Sequence, residues 1–210
     1  MAVIAFDLDG TLIDSIKGIY SSYEQAISSF KLQKYNQKEF EKFIGKSFNH
    51  MIFQMYPSIN KNLADECIKR FRNSFDNQYF MNYTLYEDVL PLLHEISQNH
   101  EILIISNKKN EQVVEIGRKE FYNLNITYSG KTDAFPCKIN RIKDFNNTKK
   151  IDVVVGDTLE DFMMAETCKS NFIYAKYGYG KFSYGNNIKT YVANSSKELR
   201  ENFNQILRYY

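Results

Sequence analysis

The stretch Phe6-Asp7-Leu8-Asp9-Gly10-Thr11-Leu12 closes a short apolar run near the start of the chain. In an extended strand, Asp7 and Asp9 project from the same face because they are two residues apart. Two carboxylates this close repel each other strongly unless a proton or a cation lies between them. Gly10 then frees the backbone for a sharp turn. The stretch therefore predicts a strand whose carboxyl end carries chemistry, which is where open α/β sheets bind their ligands.

Apolar runs like this one recur along the chain, and each is continuous rather than alternating, as in strands that are buried on both faces. The runs are residues 3–8, 102–105, 152–155 and 172–175. Segments with the spacing of amphipathic helices follow the second and third runs, and a last one opens with Ser195 and Glu198 at capping-box spacing and continues to Leu207. This alternation predicts an α/β fold, in which a doubly wound, mostly parallel sheet forms a Rossmann-like core with helices on both faces.

The connection between the first two predicted strands is far longer than the roughly 12 residues that a βαβ crossover needs. The first strand ends near Asp7 and the second begins near Glu101. Helical spacing of apolar residues fills most of this connection, over residues 16–30, 40–44, 48–55, 64–80 and 85–96. We therefore expect an α/β core made of residues 1–14 and 84–210, and a helical domain of residues 15–83 inserted after the first strand.

The composition of the 210 residues is that of an ordinary folded protein, with 43% hydrophobic and 25% charged residues, and it excludes wholesale disorder and fibrous repeats. Because 27 Lys and Arg residues balance 25 Asp and Glu residues, the chain lacks the net charge that favours binding to nucleic acid or to a membrane surface. Three cysteines without disulfide or metal-ligand spacing, and no leader or membrane-spanning run, predict a cytoplasmic protein. The oligomeric state is left open.

Three further segments carry polar residues at or just beyond the ends of predicted strands. They are Ile104-Ile105-Ser106-Asn107-Lys108, the region of Lys138, and Gly156-Asp157-Thr158-Leu159-Glu160-Asp161. Together with Asp7-Leu8-Asp9-Gly10-Thr11, they resemble the four motifs of the haloacid dehalogenase superfamily in their order, and the helical insert stands where that family has its cap domain. Asp14-Ser15 and Gly45 are similar to the branch that contains phosphoglycolate phosphatases, pyrophosphatases and β-phosphoglucomutases.

The acidic residues have a chemistry of their own that agrees with this resemblance. A carboxylate such as Asp7 can attack phosphorus and divide one displacement into two easier steps through an aspartyl-phosphate. Asp9, on the same strand face, can protonate the leaving oxygen and later deprotonate the attacking water. Asp157 and Asp161 add negative charge that a phosphate site tolerates only with a divalent cation, and Mg²⁺ prefers oxygen ligands.

The expected metal ligands are Asp7, a backbone carbonyl near Asp9, and Asp157. The resemblance implies the same set and makes Asp161 an outer or water-bridged ligand, with a plain helix-start carboxylate as the alternative. The implied cofactor is Mg²⁺.

Groups that bind the phosphate are expected in the second and third motifs. Ser106 precedes a helical segment, where its hydroxyl can hold phosphate oxygens, and Asn107 can add its backbone amide. Lys131 and Lys138 both lie between the second and fourth motifs. The resemblance favours Lys138, because it begins a helical segment directly before a strand, and Lys131 is the alternative.

The resemblance implies a Mg²⁺-dependent phosphatase that hydrolyses a small phosphomonoester, similar to phosphoglycolate phosphatase. A phosphomutase of the β-phosphoglucomutase type shares every core residue and stays an alternative, and a catalytically silent binding module is another. A dehalogenase is disfavoured because its reaction needs neither a metal nor a proton donor such as Asp9. On the expected cap, Lys46, Ser47 and His50 are candidates for substrate recognition, with a plain solvated helix as the alternative.

Overall fold

The computed structural model describes residues 1–44 and 47–206. Within these residues, the chain divides into two compact units. The first, called the core here, contains Met1–Ile13 and the described part of Leu85–Tyr210, and the second, called the insert, is Asp14–Thr84.

The core is built on a parallel sheet. In chain order, the strands are β1 Val3–Phe6, β2 Ile13–Asp14, β3 Thr84–Leu85, β4 Glu101–Lys109, β5 Ile126–Lys131, β6 Val153–Gly156, β7 Asn171–Ala175 and β8 Thr190–Ala193. The short strands β2 and β3 pair with each other where the chain passes between the units, and the remaining strands form a 6-stranded sheet in the order β5-β4-β1-β6-β7-β8. Neighbouring strands of that sheet are parallel throughout. The predicted α/β fold is confirmed.

Helices make up most of the insert. A second set of helices, which belongs to the core, covers the faces of the core's own sheet. In the insert they are α1 Ile16–Ile27, α2 Gln37–Phe40, α3 Phe48–Met55 and α4 Lys61–Ser74, and in the core they are α5 Val89–Ser97, α6 Asn110–Glu120, α7 Lys138–Thr148, α8 Leu159–Cys168 and α9 Ser196–Ile206. A 3₁₀ turn, Glu41–Phe43, follows α2, and a π-helical turn, Phe75–Tyr79, follows α4. Among the described residues, no helix combines the length and the apolar character that a membrane crossing requires.

The central strand β1 is buried on both faces by helices. Ala5 belongs to a cluster with Ile142 of α7 and Phe162 of α8. Phe6, the next residue, points to the opposite face, where its ring centroid lies 5.6 Å from that of Phe203 in α9. A continuous apolar run is therefore required in β1, as its sequence predicts.

The insert has an aromatic core of its own. The rings of Tyr23 and Phe40 stack with centroids 4.6 Å apart, and those of Phe48 and Phe71 stack at 3.9 Å. The hydroxyls of Tyr23 and Tyr56, both buried, lie 3.0 Å apart in a hydrogen bond. These contacts join α1, α2, α3 and α4 and let the insert bury its apolar faces.

Several predicted boundaries are wrong. Leu85 was expected to begin a helix but lies in β3, and Phe30 and Phe80 lie beyond the helices that were expected to include them. The edge strands β5 and β8 were not predicted, because most of their residues are only partly buried and lack the continuous apolar run of the inner strands. Gly45, Lys46 and Leu207 lie outside the described residues.

The edge strand β5 depends on a close approach between two backbone segments. A Cβ atom added at the buried Gly130 would lie 2.4 Å from the Cα of Asn110, at the start of α6. We expect Gly130→Ala to lower the free energy of unfolding by about 2 kcal/mol, because the backbone of α6 must move. The control is Gly185→Ala, whose Cβ would meet no atom closer than 3.7 Å, and it should change the value by about 0.5 kcal/mol or less. Urea unfolding measures both, and equal values would contradict this packing.

Candidate active site

Asp7, directly after β1, is buried, and the turn that follows it passes close to Asp157. Asp7 is 5% exposed, and its backbone N–H donates to the carbonyl of Val155 in β6 at 2.8 Å. Gly10 has a φ of 80°, and a Cβ there would lie 2.5 Å from Oδ2 of Asp157. The left-handed backbone and the neighbouring carboxylate both require glycine at this position.

A buried lysine contacts two carboxylates. Lys138, the first residue of α7, is 2% exposed, and its Nζ lies 2.5 Å from Oδ1 of Asp7 and 2.6 Å from Oδ1 of Asp161. Burial alone would lower the pKa of Lys138, but Asp161 and Asp7 outweigh it and raise the pKa above its usual value. Lys131 instead ends β5. The structure therefore brings Lys138, rather than Lys131, to these acidic residues.

Hydrogen bonds from neighbouring residues orient the two other carboxylates, those of Asp157 and Asp161. Oδ2 of Asp157 accepts hydrogen bonds from the backbone N–H groups of Tyr179 at 2.7 Å and Gly180 at 3.1 Å. Oδ2 of Asp161 accepts from the N–H of Thr158 at 2.9 Å and from its hydroxyl at 2.6 Å, in a capping box that begins α8. Both side chains are thus oriented by contacts within the protein itself.

Asp7, Asp157 and Asp161 form a buried acidic cluster, in which one oxygen from each lies within 4.8 Å of the others. Burial raises the pKa of Asp7 well above its usual value; Lys138 opposes the rise, and Asp161, Asp157 and Asp9 add to it. Burial, and after it Asp161, raise the pKa of Asp157 to about 7. Lys138 supplies one positive charge to this cluster, and the carboxylate oxygens also fit a hard divalent cation.

β4 continues past its expected end and presents two polar side chains to Asp9. The Ser106 hydroxyl lies 3.4 Å from Oδ2 of Asp9 and accepts a hydrogen bond from the backbone N–H of Lys108 at 3.1 Å. Nζ of Lys108 lies 2.6 Å from Oδ1 of Asp9, and the lysine side chain is 4% exposed. Lys108 carries no role in the sequence-based prediction, because the strand was expected to end at residue 105. Its position two residues after Ser106, on the same strand face, is the signal that was missed.

Comparison with known proteins identifies the family. Residues 4–175 match the family described as haloacid dehalogenase-like hydrolase. The chain belongs to this family. A phosphoglycolate phosphatase of Vibrio parahaemolyticus is 25% identical over 95% of this chain and 94% of its own length. A pyrophosphatase PpaX of Bacillus pumilus is 29% identical over 78% of this chain and 77% of its own.

The fold comparison agrees with the sequence comparison. A haloacid dehalogenase-like family hydrolase of Streptococcus pneumoniae superposes with a TM-score of 0.83 at 20% identity, over 97% of this chain and 98% of its own. The resemblance seen in the sequence is confirmed, and the chain is a haloacid dehalogenase-like hydrolase of the phosphatase type.

The side chain of Asn107 in this hydrolase has a contact that its motif did not predict. Asn107 is exposed, and its Nδ2 donates to Oε2 of Glu160 in α8 at 2.5 Å. Because β1 lies between β4 and β6 in the sheet, this bond spans the end of the strand that precedes Asp7. The expected contribution of the Asn107 backbone amide to phosphate binding stays a prediction.

Arg141 is a second residue that the motifs of the haloacid dehalogenase-like hydrolases did not reveal. It is 8% exposed and donates from Nη2 to the carbonyl of Ser106 at 2.6 Å and from Nη1 to the carbonyl of Phe135 at 2.9 Å. Burial lowers the pKa of Arg141, and Glu160 opposes this. The spacing of three residues from Lys138 along α7 could have placed both side chains on one helix face. Arg141 therefore anchors the segment that carries the Ser106 hydroxyl.

We expect Arg141→Met to lower the free energy of unfolding by about 2–4 kcal/mol, because two carbonyls lose their donor. Arg141→Lys should lose less, since an ammonium can still donate to one of them. Arg118→Met, at an exposed site in α6, is the control and should stay within about 0.5 kcal/mol of the parent. Denaturant unfolding compares the variants, and similar losses for Arg141→Met and Arg118→Met would contradict the anchoring role.

Proposed function

We propose that this hydrolase is a Mg²⁺-dependent phosphatase that hydrolyses a small phosphomonoester, like phosphoglycolate phosphatase, through an aspartyl-phosphate. The observation that carries the proposal is the surroundings of Asp7. This carboxylate directly follows the buried strand β1, contacts the ammonium of Lys138 at 2.5 Å, and lies in one cluster with Asp157 and Asp161. A nucleophile, a fixed positive charge and a set of oxygen ligands thus meet at one point.

In the proposed first step, a carboxylate oxygen of Asp7 attacks phosphorus while the bond from phosphorus to the leaving oxygen breaks. Asp9 gives its proton to that oxygen, so that the oxygen departs as a neutral hydroxyl. Since Lys108 donates to Oδ1 of Asp9, we assign the transferred proton to Oδ2, the oxygen that faces Ser106.

In the proposed second step, water attacks phosphorus and gives a proton to Asp9, while the bond between Asp7 and phosphorus breaks. Inorganic phosphate leaves, and both aspartates return to their starting states. During both steps, Lys138 offsets the negative charge on the phosphoryl oxygens. The hydroxyl of Ser106 and the backbone amide of Asn107 would hold two of these oxygens.

The residues that would hold Mg²⁺ are Asp7, Asp157 and the backbone carbonyl of Asp9, with Asp161 as an outer ligand. When bound, the ion supplies Lewis-acid stabilisation of the charged phosphate. The buried acidic cluster and the raised pKa values of Asp7 and Asp157 support this proposal, because a cation offsets the burial, and after it the repulsion between carboxylates, that raises them.

The insert is proposed to act as a cap that chooses the substrate, over residues 15–83 as the sequence predicts. Ser47 and His50, at the start of α3, are exposed and therefore available for substrate recognition. The third candidate, Lys46, lies outside the described residues.

The names of two relatives narrow the proposed substrate. One relative is named for phosphoglycolate and the other for pyrophosphate. These compounds differ in size and bond type, yet in both the group that departs from phosphorus carries a negative charge of its own. We propose that the substrate of this chain is a similarly small phosphorylated compound.

Asp7→Asn tests the nucleophile. Turnover should fall by roughly 10³-fold or more, because the amide is nearly isosteric but cannot attack phosphorus. Release of inorganic phosphate measures this, and isomerisation of a hexose phosphate, measured alongside, detects a phosphomutase. The control Asp144→Asn changes an exposed residue of α7 and should keep full turnover. Turnover by Asp7→Asn within tenfold of the parent would assign the nucleophile elsewhere.

Metal removal tests the acidic cluster. Chelation should abolish turnover and Mg²⁺ should restore it. Asp157 has a higher pKa folded than unfolded, so without metal the stability of the protein should fall as pH rises from about 4 to about 7. Added Mg²⁺ should raise the melting temperature most at the upper end of this range. Full turnover in excess chelator, or a melting temperature that Mg²⁺ does not change, would contradict the metal assignment.

A further inference from the structure

The ammonium of Lys108 lies beside the carboxylate that faces the leaving group in the proposed reaction. Its Nζ is 2.6 Å from Oδ1 of Asp9, and only 4% of the lysine side chain is exposed, against 24% for Asp9. The lysine is thus a buried cation beside a more exposed carboxylate. Its backbone N–H is fixed by the Ser106 hydroxyl at 3.1 Å, so the side chain starts from a set position.

The position of Asp9 fixes where a substrate's leaving group must lie. A carboxyl that gives a proton to the leaving oxygen has to approach it to hydrogen-bond distance, about 2.6–3.2 Å. Lys108 contacts the other oxygen of the same carboxyl group, so its ammonium and the leaving oxygen are separated by that carboxyl group and one hydrogen bond on each side. A group two bonds beyond the leaving oxygen that turns toward the ammonium can reach it.

We propose that Lys108 binds an anionic group carried by the leaving group, so that the substrates are phosphate esters or anhydrides with a second negative charge next to the cleaved bond. A carboxylate or a phosphate at that place would accept a charge-assisted hydrogen bond from Lys108, and such bonds are strong where water is largely excluded. This inference rests on the proposed function and deepens it, because it assigns the choice of leaving group to a residue of the core.

The roles of Asp9 and Lys108 predict different effects of substitution. If Lys108 only oriented Asp9, its loss would slow every substrate by the same factor. If it also binds the leaving group, its loss slows substrates with a charged leaving group more than neutral ones. The ratio of kcat/KM between two such substrates therefore separates specificity from positioning.

The experiment compares 2-phosphoglycolate with 2-phosphoglycolamide, which differ in the charge of the terminal group and hardly in size. The parent enzyme should prefer the carboxylate by roughly 10- to 100-fold in kcat/KM, the range expected for a hydrogen bond between charged groups. Lys108→Met should reduce this preference to about threefold or less, whereas Lys108→Arg, which keeps the charge, should retain most of it. Lys109→Met removes the exposed neighbouring lysine and should leave the preference unchanged.

A generic aryl phosphate serves as the reference substrate in the same assay. If the parent hydrolyses none of the three compounds, the proposed phosphatase function itself fails. If it hydrolyses the aryl phosphate without preferring the carboxylate over the amide, the inference is overturned and the phosphatase function stands. An equal loss on both compounds in Lys108→Met also overturns it. Should that variant not fold by circular dichroism, Lys108→Gln takes its place with the same expected loss of preference, and a parent without preference still refutes the inference.

Discussion

One buried ammonium, that of Lys138, sets the arrangement of the candidate active site. It lies between Asp7 and Asp161, in a part of the core where all three side chains are almost inaccessible to water. Removing one partner from a buried ion pair typically costs about 3–5 kcal/mol, because the remaining charge is left without compensation. The end of β1, the start of α7 and the start of α8 must therefore meet at this amine, and the loops between them have to allow it.

The order and register of the strands make this meeting possible. Phe6 of β1 is level with Ile104 of β4 on one side and with Val155 of β6 on the other. Since the strands are parallel, the residues that follow these partners all emerge at the same edge of the sheet. Segments that are far apart in sequence thus supply Asp7, Ser106 and Asp157 to one small volume, without any side chain having to reach across the core.

Sequence-based reasoning predicted the structural features that depend on side-chain type and missed those that depend on backbone geometry. The inner strands were predictable because burial on both faces demands continuous apolar residues, as in β1. The edge strands β5 and β8 carry no such demand. Lys108 was missed because nothing in its neighbours marks β4 as continuing past Ile105, and Arg141 was missed because its partners are the carbonyls of Ser106 and Phe135, which any residue offers.

The same distinction separates what a family can share from what an individual chain can vary. Asp157 is held by the amides of Tyr179 and Gly180, contacts that depend on the path of the loop rather than on its side chains. Where Gly10 lets the backbone pass close to Asp157, the path itself is constrained and few alternatives exist. Lys108 is different, because its contact with Asp9 is made by its side chain and depends on the residue type. On the proposal that Lys108 binds the leaving group, a substitution there changes specificity and leaves the backbone hydrogen bonds that orient Asp157 in place.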